Sequence, residues 1–502
     1  MPLVRLSPSD GVATATRRIR ASETIDGVTA ATDIPKGHKI ALDSVSVGGA
    51  IRKYGQIIGY ATHPIAPGDH VHVHNTGFRN TDHAYDFAVD ATSPETLPAT
   101  ERDTFLGYRR KNGRVGTRNY VGVLTSVNCS ATAARAIAAH FTEDRLAAYP
   151  NVDGVVAFVH GTGCGMADDG DGHQNLQRVL WGYARHPNMA AVLLVGLGCE
   201  VNQIDFLLDA YGIERGPAFQ TMNIQNIGGL RKTIERGIAH VEAMLSTANA
   251  ARREPCPASD LMLALQCGGS DAWSGITANP ALGHAADLLI RQGGTAALAE
   301  TPEIYGAEHL LTRRAVDEET GRKLIDRILW WEDYVERNRG TLDNNPSPGN
   351  KLGGLTTILE KSLGAVAKGG TTPLAGVYRY GEPIDRRGFV FVDSPGYDPA
   401  SVTGQIASGC NLVAFTTGRG SAFGSKPAPT IKICSNVETY QRMPEDMDVN
   451  AGLIADGSAS VPEIGAEIYR RLLAIASGQK TLSEAQGLGD DEFVPWQIGA
   501  TM

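Results

Sequence analysis

Four short apolar runs in this 502-residue chain each end in a cysteine set among glycines and small polar residues: VGVLTSVNCS (Cys129), VVAFVHGTGCG (Cys164), AVLLVGLGCE (Cys199) and LMLALQCGGSD (Cys267). A strand buried on both faces reads as a continuous apolar stretch and belongs in a parallel sheet covered by helices. In open sheets of that kind, ligands sit just beyond the carboxyl ends of the strands. Four thiols at four strand ends are therefore positioned to converge on one site. The alternative is four small buried hydrophobes at tight strand-to-helix turns, since free cysteine is among the most buried residue types. His160 and Glu200, beside two of the runs, favour a site.

The text around these runs has α/β grammar. ATAARAIAAHF, NLQRVLWGYARH and LRKTIERGIAHVEAMLSTANAARR place apolar residues at helical spacing. A boundary is expected at Arg253-Glu254-Pro255-Cys256-Pro257, where a long helix runs out into prolines. Beyond it the pattern predicts the strand LMLALQC, a helix over 281–292, the strand TAALAE, a long polar helix through GRKLIDRILWWEDYVERN, and strands in GFVFVDS, NLVAFTTG and TIKICSN. The first 76 residues differ, with short β-like pieces (VTAAT, KIALDSV, QIIGYATHPI, HVHVHN) punctuated by Pro/Gly turns, and read as a small all-β module. The predicted organisation is an all-β module over 1–76, a polar linker over 77–104, an α/β domain over 105–253 and a C-terminal α/β domain over 254–502.

Lys+Arg 46 against Asp+Glu 55 gives a net charge of -9, and with aromatics at 6% this argues against a nucleic-acid partner. Any anionic ligand must then be held by a local basic pocket. The N-terminus lacks the apolar core of a signal peptide, and no apolar run approaches the roughly 20 residues needed to span a bilayer, so the expectation is a soluble, cytoplasmic protein without a membrane partner. In that setting seven cysteines, an odd number, read as reduced thiols rather than a disulfide framework.

His70-Val71-His72-Val73-His74-Asn75 is the sharpest local motif. On a strand the three histidines share one face with neighbours roughly 6.6 Å apart, so two adjacent imidazoles reach one ion and the outer pair does not. His72 with His74 is the favoured pair, against a solvated strand face that happens to carry histidines. His160-Gly-Thr-Gly-Cys164-Gly directly follows a strand, but Met166 stands where a dinucleotide fingerprint wants glycine, and no P-loop pattern occurs. Basic residues recur in Gly/Asn contexts: Arg114 and Arg118-Asn119, Asn350-Lys351, and Arg419 between two glycines. A guanidinium matches a carboxylate at two points, and glycine admits a ligand close to the backbone. With Ser270, Asp271 and Asn279 in QCGGSDAWSGITANP, these loops suit a small, anionic, hydroxyl-bearing molecule.

GHKIALDS, YGQIIGYA, GDHVHVHN, GYRRKNGRVGTRNY, HGTGC, GLGCE, QCGGSDAWSGITANP, NPSPGNKLGG, TTGRG and DVNAG occur in this order along the chain. Through them the chain resembles, nearly end to end, the altronate/galactarate dehydratases, bacterial sugar-acid dehydratases. The resemblance implies a β-clip-like N-terminal module of the SAF kind, two α/β domains with largely parallel sheets, and removal of water from a sugar acid. It implies iron(II) as cofactor, with manganese second, and a small-molecule sugar-acid substrate. The strand-end thiols leave an iron–sulfur cluster as the alternative to that metal, and a homo-oligomer is a further expectation. The His-x-His pair looks like the altronate version, whereas REPCPASDLMLALQCGGSDA reads closer to the galactarate branch. A related branch desulfonates sulfolactate with the same parts as separate subunits.

Dehydration of a 2,3-dihydroxy acid requires abstraction of a weakly acidic C2 proton and departure of a poor C3 leaving group, so a cation must stabilise the enediolate. With the resemblance, the candidate ligands are His72 and His74, then Cys129, Cys164, Cys199, Glu200 and Cys267. His160 and Lys351 are the acid/base candidates. Arg118, Asn119, Ser270, Asp271, Asn279, Asn350 and Arg419 are the substrate-binding candidates.

Overall fold

The computed structural model describes every residue except 1, 81–83 and 94; the last four fall in the expected linker. Short strands do form the N-terminal module. Leu3–Val4, Val12–Ala15, Lys39–Ala41 and His70–Val71 make one antiparallel sheet in that order, and Ala50–Lys53, Gln56–Ala61 and Thr76–Gly77 make another. The HVHVHN segment is a strand only over His70–Val71. It then turns, with the Asn75 and Thr76 N–H groups both donating to the His72 carbonyl.

The second domain is built on a four-stranded, all-parallel sheet in the order Gly154–Phe158, Tyr120–Thr125, Met189–Gly196, Phe219–Asn223. Its central strands are apolar on both faces because helices cover both. Ala131–Ala139 and Leu230–Ala250 pack on one side through Ile137, Val241 and Leu245. Asp171–Ala184 covers the other side and joins this domain to the next, its Leu176, Val179 and Leu180 sharing a core with Val402, Ile406 and Phe415. Gly182 makes that contact possible, since a Cβ there would lie 2.3 Å from the Ala407 carbonyl.

The C-terminal domain holds a seven-stranded sheet in the order Leu374–Tyr378, Gly388–Val392, Thr295–Leu298, Met262–Cys267, Leu412–Thr417, Thr430–Cys434, Val449–Asn450, with every pairing parallel. From Met262–Cys267 the chain lays Thr295–Leu298, Leu374–Tyr378 and Gly388–Val392 on one flank, the last inserted inside the edge strand, and then returns to the other flank with Leu412–Thr417. The strand order therefore reverses between these two, which is where open α/β sheets bind ligands. The predicted helix over 281–292 runs Ala278–Arg291, and the long polar helix runs Glu318–Arg337, started by Asp317 accepting from the Thr320 N–H. The proline-rich 254–257 stretch forms a strand, Glu254–Pro257, antiparallel to Thr104–Arg109. Residues 86–90 of the expected linker are held to the C-terminal domain: Asp86 and Asp90 pair with Arg313, and Phe87 packs on Gly321. Among the described residues no helix is long and apolar enough to cross a membrane.

What seats the N-terminal module is a buried ionic bridge. Lys39 and Lys53, on two strands of the module, both donate to the Glu360 carboxylate of the helix Ile358–Val366, at 2.8 and 2.9 Å, and Lys39 also donates to the Gly354 carbonyl at 2.7 Å. All three side chains are shut off from solvent. Burial alone would raise the Glu360 pKa from its ordinary 4.5, but the two ammonium charges outweigh it and hold the carboxyl well below that value. Glu360→Gln leaves two buried ammonium groups without a counter-charge and is expected to cost about 3–5 kcal/mol, measured by urea unfolding. Because the folded carboxyl is depressed, its contribution is fully present above the ordinary value of 4.5 and is lost as pH falls through the lower folded value. Wild-type stability should therefore decline on acidification more steeply than that of the Gln variant.

Candidate functional site

The turn that leaves Met262–Cys267 forms the floor of the strand-order reversal. At Gly268 a Cβ would lie 2.2 Å from the Asp398 carboxylate, so glycine is needed for that carboxylate to rest on the turn. The next residue, Gly269, receives the Gly418 and Arg419 N–H groups on its carbonyl, at 3.1 and 2.9 Å. Asp398 and Arg419 thus flank two consecutive glycines. Asn350 donates to the Ser270 carbonyl at 2.8 Å while capping the short helix Pro348–Leu352, which holds the Lys351 loop against the same turn. Among the described residues neither the Arg419 guanidinium nor the Lys351 ammonium has a hydrogen-bond or ion-pair partner, and Arg419 is exposed. Asp271, in contrast, is saturated: its carboxylate accepts from the Trp273 and Ser274 N–H groups, the Ser435 hydroxyl and the Asn436 amide. It builds the floor rather than presenting a free carboxylate. Asn279 lies behind it, buried between Thr416 and the Gly364 carbonyl.

Below the floor sits a buried group of acids and bases that the pattern of the sequence did not reveal. Lys361 pairs with Glu303 at 2.6 Å and donates to Asn345 at 2.7 Å. Lys368 Nζ lies 2.7 Å from Cys267 Sγ and 3.7 Å from Glu300. Burial pushes the Cys267 thiol up to about 12 despite the pull of Lys368, and Cys267, Glu300 and Glu303 offer donor atoms within 4.8 Å of one another, a second set that could hold a cation. Glu300 is raised by burial and by the charge of Glu303. Asp398, at the rim, is raised to about 7, first by burial and then by Glu303, with Lys361 and Lys368 opposing. A half-buried carboxyl that titrates near neutrality is suited to move a proton in either direction.

Facing the Lys351 loop is an imidazole cluster. Antiparallel pairing of Lys39 with Val71 and Ile40 with His70 sets His38 across from His72. His38, His70 and His72 offer ring nitrogens within 4.8 Å of one another, a donor set that can hold a divalent metal ion. His38 Nδ1 and His70 Nε2 are 2.9 Å apart, and His38 Nε2 lies 3.4 Å from the Leu352 carbonyl of the C-terminal domain. The buried Nδ1 of His72 has no hydrogen-bond partner among the described residues, which a bound cation would relieve. Burial holds all three imidazoles below the ordinary pKa, His70 at about 4 and His72 at about 3. The expected His72–His74 pair is not the one formed. The strand ends at Val71, so the alternation that would align His74 with His72 is lost, and His74 is exposed with its ring 5.4 Å from that of His70.

Several expected site residues lie elsewhere. His160 donates from Nε2 to the Thr125 carbonyl and accepts at Nδ1 from the Thr162 N–H, and burial lowers its pKa to about 4; both nitrogens hold a turn, leaving none for catalysis. Glu200 closes its own loop, accepting from the Ser126 hydroxyl and the Leu197 and Gly198 N–H groups. Arg118 and Asn119 precede Tyr120–Thr125 and so stand at the amino end of that strand. There Arg118 pairs with Glu484 and donates to three main-chain carbonyls, while Asn119 bridges the Asn151 and Ala248 carbonyls. The four strand-end thiols divide between two sheets: Cys129, Cys164 and Cys199 belong to the second domain and are exposed, whereas Cys267 is buried in the third.

Three family profiles match in succession: "Altronate/galactarate dehydratase SAF domain" over residues 1–79, "D-galactarate dehydratase/Altronate hydrolase, second domain" over 107–249, and "D-galactarate/Altronate dehydratase, C-terminal" over 258–501. The chain belongs to the altronate/galactarate dehydratase family. It is similar to an altronate dehydratase of Bacillus subtilis, 36% identical over 95% of each chain. It is also similar to a galactarate dehydratase (L-threo-forming) of Escherichia coli, 38% identical over 92% of this chain and 90% of the relative, and to an altronate dehydratase of that organism, 38% identical over 91% and 90%. As a member of this dehydratase family the chain is an enzyme of the hydro-lyase type. In metal-free native protein, Cys129, Cys164 and Cys199 are expected to react with iodoacetamide, and the four buried cysteines only after unfolding, as read by peptide mass spectrometry.

Proposed function

We propose that this enzyme dehydrates a sugar acid to a 2-keto-3-deoxy sugar acid, with D-altronate as the first substrate and galactarate as the second. In this reading His38, His70 and His72 hold iron(II), or manganese in its place. The observation that carries it is the seam itself. Three imidazoles, one with an orphaned buried nitrogen, face the Lys351 loop, which Asn350 holds to the turn where the Arg419 loop and the near-neutral Asp398 carboxyl also lie. That combination answers the two demands of the chemistry, an anion to anchor and a carbon acid to deprotonate. Support for altronate comes from the relative of that name aligned over 95% of both chains.

When bound, the ion supplies Lewis-acid stabilisation of the charge that builds on the substrate carboxylate as C2 loses its proton. Arg419 clamps a carboxylate of the substrate in two-point geometry. Asp398 in its ionised form takes the C2 proton; the electrons left on C2 form the C2–C3 double bond as the C3–O bond breaks. Lys351 donates the proton with which the C3 hydroxyl leaves as water. The enol then loses its C2 hydroxyl proton and gains one at C3. Glu303 raises the basicity of Asp398 by its charge, and Lys361 and Lys368 hold Glu303 and the thiol beneath it.

A panel of sugar acids assayed for 2-keto-3-deoxy acid tests the reading directly, and in deuterated water the product should carry solvent deuterium at C3. No turnover across the panel in iron-loaded protein would overturn it; turnover of galactarate alone would reassign the substrate. Asp398→Asn should lower kcat by about 10²–10⁴-fold with little change in KM, since a proton-transfer group acts mainly in the transition state. Arg419→Ala should raise KM instead. Chelation should abolish activity and iron(II) restore it, and His38→Ala should lower the iron retained after desalting.

A further inference from the structure

The three exposed cysteines of the second domain have no part in the chemistry above, and they do not lie apart. Strand order puts the Cys129 strand between those leading to Cys164 and Cys199. The three loops are tied together within three residues of each thiol. The Asn128 N–H donates to the Thr162 carbonyl at 2.9 Å, the Asn202 N–H to the Gly163 carbonyl at 3.1 Å, and the Asn202 amide to the Ser126 carbonyl at 3.0 Å. The loops that carry Cys164 and Cys199 therefore meet over the end of the central strand, just before Cys129. Gly163 permits this closeness, because a Cβ there would lie 2.3 Å from the Ser126 carbonyl. The remaining four cysteines are buried; only these three, at one sheet edge, face outward.

We propose that Cys129, Cys164 and Cys199 together form a second metal centre, a three-thiolate site for a thiophilic metal, separate from the imidazole site. Thiolates select soft or borderline metals, which the nitrogen donors of the N-terminal module do not discriminate as sharply. The spacing points to the kind of centre. A single tetrahedral ion with metal–sulfur bonds of about 2.3 Å needs its sulfurs roughly 3.8 Å apart, and the three thiols are not gathered within 4.8 Å of one another. An iron–sulfur cluster spans a wider gap and accepts three cysteine ligands with one iron left to another donor. Gln225, whose amide donates to Cys199 Sγ at 3.2 Å, marks where a hydrogen bond to a bound thiolate would fall.

The test uses full-length protein carrying His70→Ala and His72→Ala, so that iron at the imidazole site does not enter the count. One arm reconstitutes it anaerobically with ferrous iron and sulfide; the other supplies Co²⁺ alone, and both are desalted before analysis. The expected result is retained iron with acid-labile sulfide and absorbance near about 400 nm; retained Co²⁺ with thiolate charge-transfer bands and no labile sulfide would identify a single-ion centre instead. In either case Cys129→Ser, Cys164→Ser and Cys199→Ser should each abolish retention while leaving the thermal melt unchanged, since the side chains are exposed. Absence of retained metal in both arms, or retention undiminished in the three serine variants, would overturn the proposal. Neither result bears on sugar-acid turnover by the wild-type protein, so the two readings fail independently.

Discussion

The bridge from Lys39 and Lys53 to Glu360 is the contact on which the candidate site depends, because it presses a small β module against the carboxyl edge of a large parallel sheet. The ion pairs are fully buried, so their desolvation is repaid only in the docked geometry, where Lys39 also finds the Gly354 carbonyl and Glu360 also accepts from Thr356. Displaced by a few ångströms, the same groups would be buried charges without partners. That makes the docking specific in register as well as favourable, and the residue next to Lys39 is His38, which is thereby fixed beside Leu352. Through this bridge an imidazole cluster from one module is set beside the Lys351 loop of another.

The other half of the site follows from sheet topology. Because every strand of the seven-stranded sheet runs parallel, all its loops with chemical side chains emerge at one edge, and the reversal of strand order opens a crevice there. Glycines at 268 and 269 let Asp398 and the Arg419 loop close on that crevice from opposite sides. The buried lysines and glutamates beneath form a set of mutually compensating charges. In that set Asp398 is the carboxyl near the rim whose ionisation is balanced near neutrality. In the proposed reaction the basicity of Asp398 is set by charged groups buried beneath it.

The second domain repeats the same architecture at a smaller scale with different chemistry. Its four parallel strands also bring their loops to one edge, but these carry thiols and backbone-locked side chains rather than free cations. His160 and Glu200 illustrate how a reactive residue type at a strand end can be consumed by turn geometry. Each satisfies main-chain donors or acceptors that a tight loop would otherwise leave unpaired.

By itself the sequence determined the α/β class, the small β module before it, the strand that ends at Cys267 and the strands that stop three to six residues before Cys129, Cys164 and Cys199, and the family, because these rest on local periodicity and on ordered motifs. It also offered Ser270, Asp271, Asn350, Lys351 and Arg419 as candidates, and these lie on loops joined to one turn by the Asn350–Ser270 and Arg419–Gly269 hydrogen bonds. Only the tertiary structure decided the partners. His38 joins His70 and His72 through a strand register that no spacing along the chain encodes, and His74 drops out because the strand stops at Val71, three residues before it. Arg118 and Asn119 lie at the amino end of their strand, so their Gly/Asn setting, which resembles that of Arg419, serves packing instead of binding. Asp398, Lys361 and Lys368 come from separate helices and turns, and their protonation is set by burial and by one another's charge, quantities that exist only once the chain is folded.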